Sequence, residues 1–194
     1  MATKPRRKAI NPRFGIPGMD PAAGQRTAEL LQDRLVALTD LSLTLKHIHW
    51  NVVGPNFIGV HTMLDPQVDA VREMVDVTAE RIATLGASPN GLPGALVKAR
   101  SWDDYALMRG TTQEHLGALD QVYAGVISSH REAISELDSL DPVTQDLLIE
   151  QSEQLEQFHW FVRAHLESSD GRLSTQGATT EISAARRAVK RVSA

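Results

Sequence analysis

The chain has 194 residues, 42% of them hydrophobic, which is enough to bury one core of ordinary domain size. It contains no cysteine, which excludes a disulfide scaffold, a thiolate metal site and a cysteine nucleophile, so any metal chemistry must use imidazole and carboxylate ligands. The net charge of −4 is segregated: residues 1–13 carry +5, residues 169–194 carry +3, and residues 14–168 therefore carry −12.

The basic N-terminus is not followed by an apolar run of the kind that a signal peptidase or a membrane requires. We therefore expect a cytoplasmic protein that does not bind membranes. Basic tails on an acidic body are often only solubilising, and the alternative is that they attract a polyanion.

In chain order, the first predicted helix covers residues 21–50, because apolar residues recur there at spacings of three and four. After a turn at residues 51–56, a second helix is predicted from Phe57 to Gly86, with a kink at Pro66. Residues 86–102 predict a long crossover, with a short helix at residues 95–100.

Further helices are predicted at residues 110–137 and at residues 141–168, where Pro142 stands in the first turn. No strand pattern is found. Two helices, a long crossover and two more helices predict an all-α, ferritin-like four-helix bundle with a short helix in the crossover. We assign residues 1–20 to a basic N-terminal tail, 21–168 to the bundle domain, and 169–194 to a basic C-terminal tail, both tails being flexible.

Five residues are candidate metal ligands, and four of them lie within an arc of roughly 100° on the second predicted helix, beside its apolar stripe. They are His49 on the first helix and His61, Asp65, Asp76 and Glu80 on the second. Carboxylates beside an apolar face cost free energy unless they are paired or bound to metal, and this ligand set suits iron, manganese or zinc. The alternatives are hydrogen-bonded histidines, a solvated acidic face, or an ion pair between Glu80 and a neighbouring arginine.

The spacing also decides how such a site is built. His61 and Asp76 are fifteen residues apart, about 22 Å along one helix, so they cannot share an ion within one chain. A symmetric antiparallel pair of helices from two subunits can bring the two ends together. A metal site that uses all five residues must therefore lie between subunits.

Several segments resemble the Dps family, the DNA-binding proteins of starved bacterial cells, in its actinobacterial and mycobacterial form. The segments are 45–51 (LKHIHWN), 54–57 (GPNF), 61–65 (HTMLD), 76–81 (DVTAER), 102–105 (WDDY), 145–148 (QDLL) and 158–167 (FHWFVRAHLE). The resemblance covers residues 27–168.

This resemblance implies a hollow dodecamer with a ferroxidase centre at each twofold interface. One subunit is then expected to contribute His49, His61 and Asp65 and its partner Asp76 and Glu80, with Trp50 close to the centre to intercept oxidising radicals. The implied chemistry is oxidation of ferrous iron, with hydrogen peroxide preferred to dioxygen, and storage of ferric mineral in the acidic cavity.

The resemblance also implies ion-conducting pores, for which the candidates are Asp138, Asp141, Asp146 and Glu150. Capping and dipole complementation at the start of the fourth helix are the alternative role for Asp141 and Asp146. Non-specific DNA binding through the tails is expected to use Lys4, Arg6, Arg7, Lys8, Arg13, Arg186, Arg187, Lys190 and Arg191.

Two further functions stay open. One is a nucleoid-compacting DNA-binding protein in which iron oxidation is secondary; the other is a cell-surface or signalling offshoot that keeps the shell without the activity. For the leading function we expect a stress-response protein of the cytoplasm, associated with the nucleoid.

Overall fold

Four long helices form the body of the protein. They are α1 (Pro21–Asn51), α2 (Phe57–Thr84), α4 (Thr112–Leu137) and α5 (Pro142–Ala164), with a short helix α3 (Pro93–Ala99) in the crossover and a further helix α6 (Glu181–Val192) at the end. The computed structural model describes residues 15–192. The predicted all-α, ferritin-like bundle with a short crossover helix is confirmed, and α2 continues as a helix through Pro66.

Local sequence explains where these helices begin. The Asp20 carboxylate accepts hydrogen bonds of 3.0 Å from two backbone amides of the first turn of α1, and Pro21 occupies the first helical position. Thr111 and Glu114 form a reciprocal capping box at the start of α4. Each cap satisfies backbone N–H groups that the helix leaves without partners.

The core consists of two clusters of buried apolar side chains inside the bundle. The larger cluster includes Leu45, Leu64, Leu119 and Val162, and the smaller one is centred on Leu31 at the opposite end. None of the helices within residues 15–192 has an apolar stretch long enough to cross a bilayer.

A pair of two-residue parallel strands, which the sequence does not predict, connects the α1–α2 turn to the start of α4. In this pair β1 (Val52–Val53) lies beside β2 (Gly110–Thr111). Gly54 (φ +94°) and Asn56 (φ +62°) adopt left-handed backbone conformations in the turn, where glycine and asparagine are best tolerated. The turn therefore holds the end of α1 against the start of α2, where two candidate ligands lie.

The expectation of a flexible C-terminal tail from residue 169 is wrong for the part that the structure describes. Residues 169–180 cross the bundle, and α6 packs on α4 through buried Ala184, Ala185 and Ala188. A Cβ atom added to Gly117 of α4 would lie 2.8 Å from the carbonyl oxygen of Ala184, so the two backbones approach too closely for any other residue to fit without a shift. The small residues that make this segment look unstructured in the sequence are the ones that permit this packing.

A buried carboxylate fixes the crossing segment. Asp120 on α4 accepts hydrogen bonds from His159 Nε2 (2.7 Å) and Arg163 Nε (2.9 Å) on α5, and from the Thr175 hydroxyl (2.7 Å). Burial raises the pKa of Asp120, but these three donors outweigh burial and lower the pKa to about 2. The charged carboxylate therefore joins both helices to the C-terminal segment.

Candidate metal centre

Two histidines meet where α1 ends and α2 begins. His49 lies in the last turn of α1 and His61 in the second turn of α2, and their rings stack with centroids 3.6 Å apart. His49 is buried and His61 is half-buried. The short turn between the helices is what brings these residues, twelve positions apart, into contact.

The two rings are held by a reciprocal pair of hydrogen bonds. His49 Nδ1 lies 3.0 Å from the carbonyl oxygen of His61, and His61 Nδ1 lies 2.9 Å from the carbonyl oxygen of His49. A carbonyl oxygen can only accept, so each Nδ1 must carry the proton. In the neutral rings each Nε2 then keeps its lone pair, which is the tautomer that a metal-binding histidine requires.

Asp65 completes a group of three possible ligands. One ligand atom from each of His49, His61 and Asp65 lies within 4.8 Å of the others, and within residues 15–192 this is the only such group of three or more histidine or acidic side chains. Asp65 Oδ1 lies 2.9 Å from Lys46 Nζ and 3.3 Å from His49 Nδ1. The hydrogen bond from Lys46 lowers the pKa of Asp65, so the carboxylate is held in the charged form that binds a cation.

Sequence reasoning missed Lys46, although its position could have indicated the role. Lys46 lies three residues before His49, which places both side chains on the same side of α1. Its ammonium group orients Asp65 toward the two histidines.

The structure does not bring the second acidic pair to this group. Asp76 and Glu80 are exposed on α2, fifteen and nineteen residues beyond His61, and fifteen residues of helix span about 22 Å. Within one chain the two halves of the predicted ligand set are therefore too far apart to bind the same ion.

The surface beside the histidines is unusually apolar. Trp50, the predicted radical-intercepting residue, is 71% exposed, and Leu43 and Ile58 are also exposed on the adjoining turns of α1 and α2. Phe57 lies against His61, with ring centroids 5.0 Å apart. An apolar surface of this kind next to an incomplete site is typical of a surface that another subunit covers.

Of the predicted pore residues, Asp138, Asp146 and Glu150 are exposed. Asp141 is different, because its side chain is buried, caps α5 through Val143 N, and forms a 2.7 Å ion pair with Arg81. These contacts support the alternative role of Asp141 as a helix cap, and the pore assignment of the four residues stays a prediction.

A Glu-x-x-His spacing, which some metal-binding bundles use, occurs at Glu156 and His159. Glu156 pairs with Arg131 at 2.6 Å, and His159 is hydrogen-bonded to the buried Asp120. Both side chains therefore have structural partners instead of converging on a common point.

The basic residues fall into two groups. Lys4, Arg6, Arg7, Lys8 and Arg13 lie outside the described residues, as does the side chain of Arg191. Arg186 and Lys190 are exposed at positions four apart on α6, so they share one face of the helix. The exposed Arg187 donates a hydrogen bond of 2.6 Å to the carbonyl oxygen of Gln176.

Proteins of known family resemble this chain in sequence and in structure. Residues 28–170 match the ferritin-like domain family. Over 175 residues the chain is 58% identical to the DNA protection during starvation protein of Mycolicibacterium smegmatis, which covers 90% of this chain and 96% of that protein. Over 158 residues it is 50% identical to the fine tangled pili major subunit of Haemophilus ducreyi, covering 81% of this chain and 84% of that protein. The solved structure of Mycobacterium smegmatis Dps, at 58% identity, superposes with a TM-score of 0.85 over 86% of this chain and 95% of that chain.

Proposed function

This chain belongs to the ferritin-like family, in the branch of the Dps proteins, and we propose that it is a ferroxidase that oxidises ferrous iron and stores the ferric product. The observation that carries the proposal is the convergence of His49, His61 and Asp65 at the α1–α2 turn. Two neutral imidazoles and a carboxylate suit ferrous iron, which is the substrate here. Two ferrous ions give up one electron each to one molecule of hydrogen peroxide, which takes up two protons from solvent and leaves as two molecules of water.

The chain's own residues have three tasks in this reaction. The reciprocal Nδ1 hydrogen bonds fix both rings, so the ligand atoms do not need to be ordered when iron arrives. Lys46 keeps Asp65 charged and in place. The acidic body attracts ferrous ions and gives the ferric product a surface on which to nucleate.

We propose further that each centre is completed by Asp76 and Glu80 of a partner subunit, within a dodecameric shell. The 22 Å separation along α2 supports this arrangement, because an antiparallel pair of α2 helices places each His61 opposite the partner's acidic pair. The exposed apolar side chains beside the histidines supply a surface for the same contact.

Subunit mixing tests the shared centre. His61→Ala and Asp76→Ala subunits should each assemble and each oxidise ferrous iron slowly, because each variant lacks one half of every centre. After co-assembly in equal amounts, half of the twofold interfaces contain one subunit of each kind, and one of their two centres is intact, so about a quarter of the parent rate should return.

The measurements are initial rates of ferrous oxidation with peroxide and with dioxygen, and particle mass to confirm assembly. His165→Ala is the matched control, because His165 is an exposed histidine at the C-cap of α5, hydrogen-bonded to the carbonyl oxygen of Phe161, and its loss should leave the rate unchanged. Titration with Co²⁺, followed by its visible absorption, reports ligand loss independently of turnover. Mixed shells that assemble but recover no activity would show that the ligands come from a single chain.

We also propose that the protein protects DNA by binding it without sequence preference. The acidic body repels a polyanion, so attraction must come from the basic ends, and α6 supports this with Arg186 and Lys190 on an exposed face. Several such faces on one shell would bind multivalently and with strong salt dependence. This activity places the protein in the cytoplasm with the nucleoid. If compaction is the main task, a variant without metal ligands should still condense DNA normally.

A gel-shift titration at low and physiological salt tests the proposed DNA surface. Replacing Arg186 and Lys190 together by Gln should weaken binding at least tenfold, whereas Arg131→Gln, an exposed arginine paired with Glu156 on the bundle, should not weaken it. Unchanged binding by the double variant would remove α6 from the DNA surface.

A further inference from the structure

A cavity of about 380 Å³ lies between α1 and α4, away from the His49 site, and the residues after α3 and the start of α6 form its rim. Arg34, Ala37, Leu41 and Thr44 line it from α1, at spacings that put them on one face of that helix. Val122, Gly125, Val126 and Ser129 line it from α4 in the same way. Its size is typical of small-molecule sites, and its wall combines an apolar floor with polar side chains at the rim.

Arg34 is the polar group at one end of this cavity. Its guanidinium donates a hydrogen bond to the Ser129 hydroxyl, and among residues 15–192 no carboxylate forms an ion pair with it. Arg81 and Arg100, by contrast, pair with carboxylates at 2.7 Å and 3.2 Å. Burial lowers the pKa of Arg34, and the negative charges of Asp33 and Glu132 raise it by less. Arg34 is half-buried, and a carboxylate could accept two parallel hydrogen bonds from its guanidinium.

Three acidic side chains lie on the rim, Asp40, Asp103 and Glu181, and Asp103 is exposed to solvent. Asp40 accepts hydrogen bonds from Arg100 (3.2 Å) and from Trp102 Nε1 (2.8 Å). Glu181 accepts one of 2.7 Å from the backbone amide of Ala106, and its burial raises the pKa of its carboxyl. Arg34 is the only cation among the residues that line the cavity, and it forms no ion pair within the described part of the chain, so it is the group with which an anionic ligand would pair.

Gly125 is an independent indication that the space is kept open. It lies in the middle of α4, where glycine costs about 1 kcal/mol relative to alanine. A Cβ atom added there would meet no atom within 4 Å, so no packing contact among the described residues requires glycine at this position. A larger side chain would project into the cavity.

We propose that this cavity binds a small organic carboxylate with an apolar body, the carboxylate on the Arg34 guanidinium and the body against Leu41, Val122 and Val126. Trp102 and Tyr105 close the outer side. This binding site is separate from the metal centre and does not depend on the proposed iron chemistry.

Equilibrium dialysis of the assembled full-length protein against radiolabelled octanoate tests the proposal, with 1-octanol as the probe of equal length without the charge. Octanoate should bind saturably, and octanol at least tenfold more weakly, because the ion-paired hydrogen bonds are missing. Arg34→Gln should weaken octanoate binding at least tenfold and leave octanol binding unchanged. Gly125→Leu should abolish the binding of both probes, because it fills the cavity and favours the helix.

Arg131→Gln is the matched control for Arg34→Gln: Arg131 is an exposed arginine on α4, paired with Glu156, and the variant should bind octanoate like the parent. Circular dichroism and particle mass establish that each variant is folded and assembled. The proposal is overturned if the parent shows no saturable octanoate binding, if octanol binds as tightly as octanoate, or if Arg34→Gln binds octanoate unchanged.

Discussion

Two glycines of α4 differ in their surroundings, because α6 packs on Gly117 and leaves Gly125 open. Alanine at either position in α4 should gain about 1 kcal/mol of helix propensity. At Gly125 the added methyl group meets nothing within 4 Å, so Gly125→Ala should raise the free energy of unfolding by about that amount. At Gly117 the methyl group would lie 2.8 Å from the Ala184 carbonyl oxygen and 2.9 Å from the Ala188 Cβ. Overpacking of this kind costs about 2 kcal/mol, so Gly117→Ala should be destabilised by about 1 kcal/mol overall and α6 should detach more readily.

Limited trypsin digestion measures this detachment, because α6 contains Arg186, Arg187 and Lys190. If the docking of α6 is weakened by about 2 kcal/mol, cleavage within α6 should be about thirtyfold faster in Gly117→Ala than in the parent chain. Gly125→Ala is the control and should be cleaved at the parent rate. Equal cleavage rates in all three proteins, with Gly117→Ala as stable as Gly125→Ala, would refute the close approach of the two helices.

Two further predictions concern buried polar groups. Burial, aided by the charge of Arg34, lowers the pKa of His130 from 6.5 to about 4, so the unfolded chain takes up the proton first and stability falls as the pH falls between these values. Between pH 7 and pH 5 the free energy of unfolding, measured with guanidinium, should therefore fall by about 2 kcal/mol in the parent protein. His130→Gln should lack this loss, and the control His165→Gln, at an exposed site, should keep it. Equal losses in the parent and both variants would contradict the prediction. Asp120→Asn should destabilise the protein by about 2 kcal/mol and increase hydrogen exchange around Thr175. The control Asp69→Asn, at an exposed site on α2, should do neither. Unchanged hydrogen exchange in Asp120→Asn would show that the carboxylate does not hold the crossing segment.

The largest difference between expectation and structure lies in the C-terminal segment. Residues 169–192 contain few large apolar side chains, so their composition indicates a solvated tail. Their order comes from a hydrogen bond to Asp120 and from alanines that fit against Gly117, and both partners are more than fifty residues away in sequence. The support of Asp141 is equally remote in sequence, because its partner Arg81 lies sixty residues earlier.

That His49, His61 and Asp65 belong to one half of a ligand set was an implication of the family resemblance. The sequence pattern alone was enough to predict the four long helices and the crossover with its short helix. These features are encoded locally: apolar spacing specifies each helix, and the turn chemistry of residues 51–56 specifies where α1 and α2 separate. The distance argument for Asp76 also needed only the rise of a helix. Only the tertiary structure decided which groups hold the functional side chains in place. These are the reciprocal hydrogen bonds of the two histidines, the ammonium group of Lys46 on Asp65, and the hydrogen bonds to Asp120. It also placed Arg34, which forms no ion pair with any other described residue, beside a cavity. Such roles depend on contacts between helices, and side-chain spacing within one helix carries no information about the groups that the next helix places opposite it.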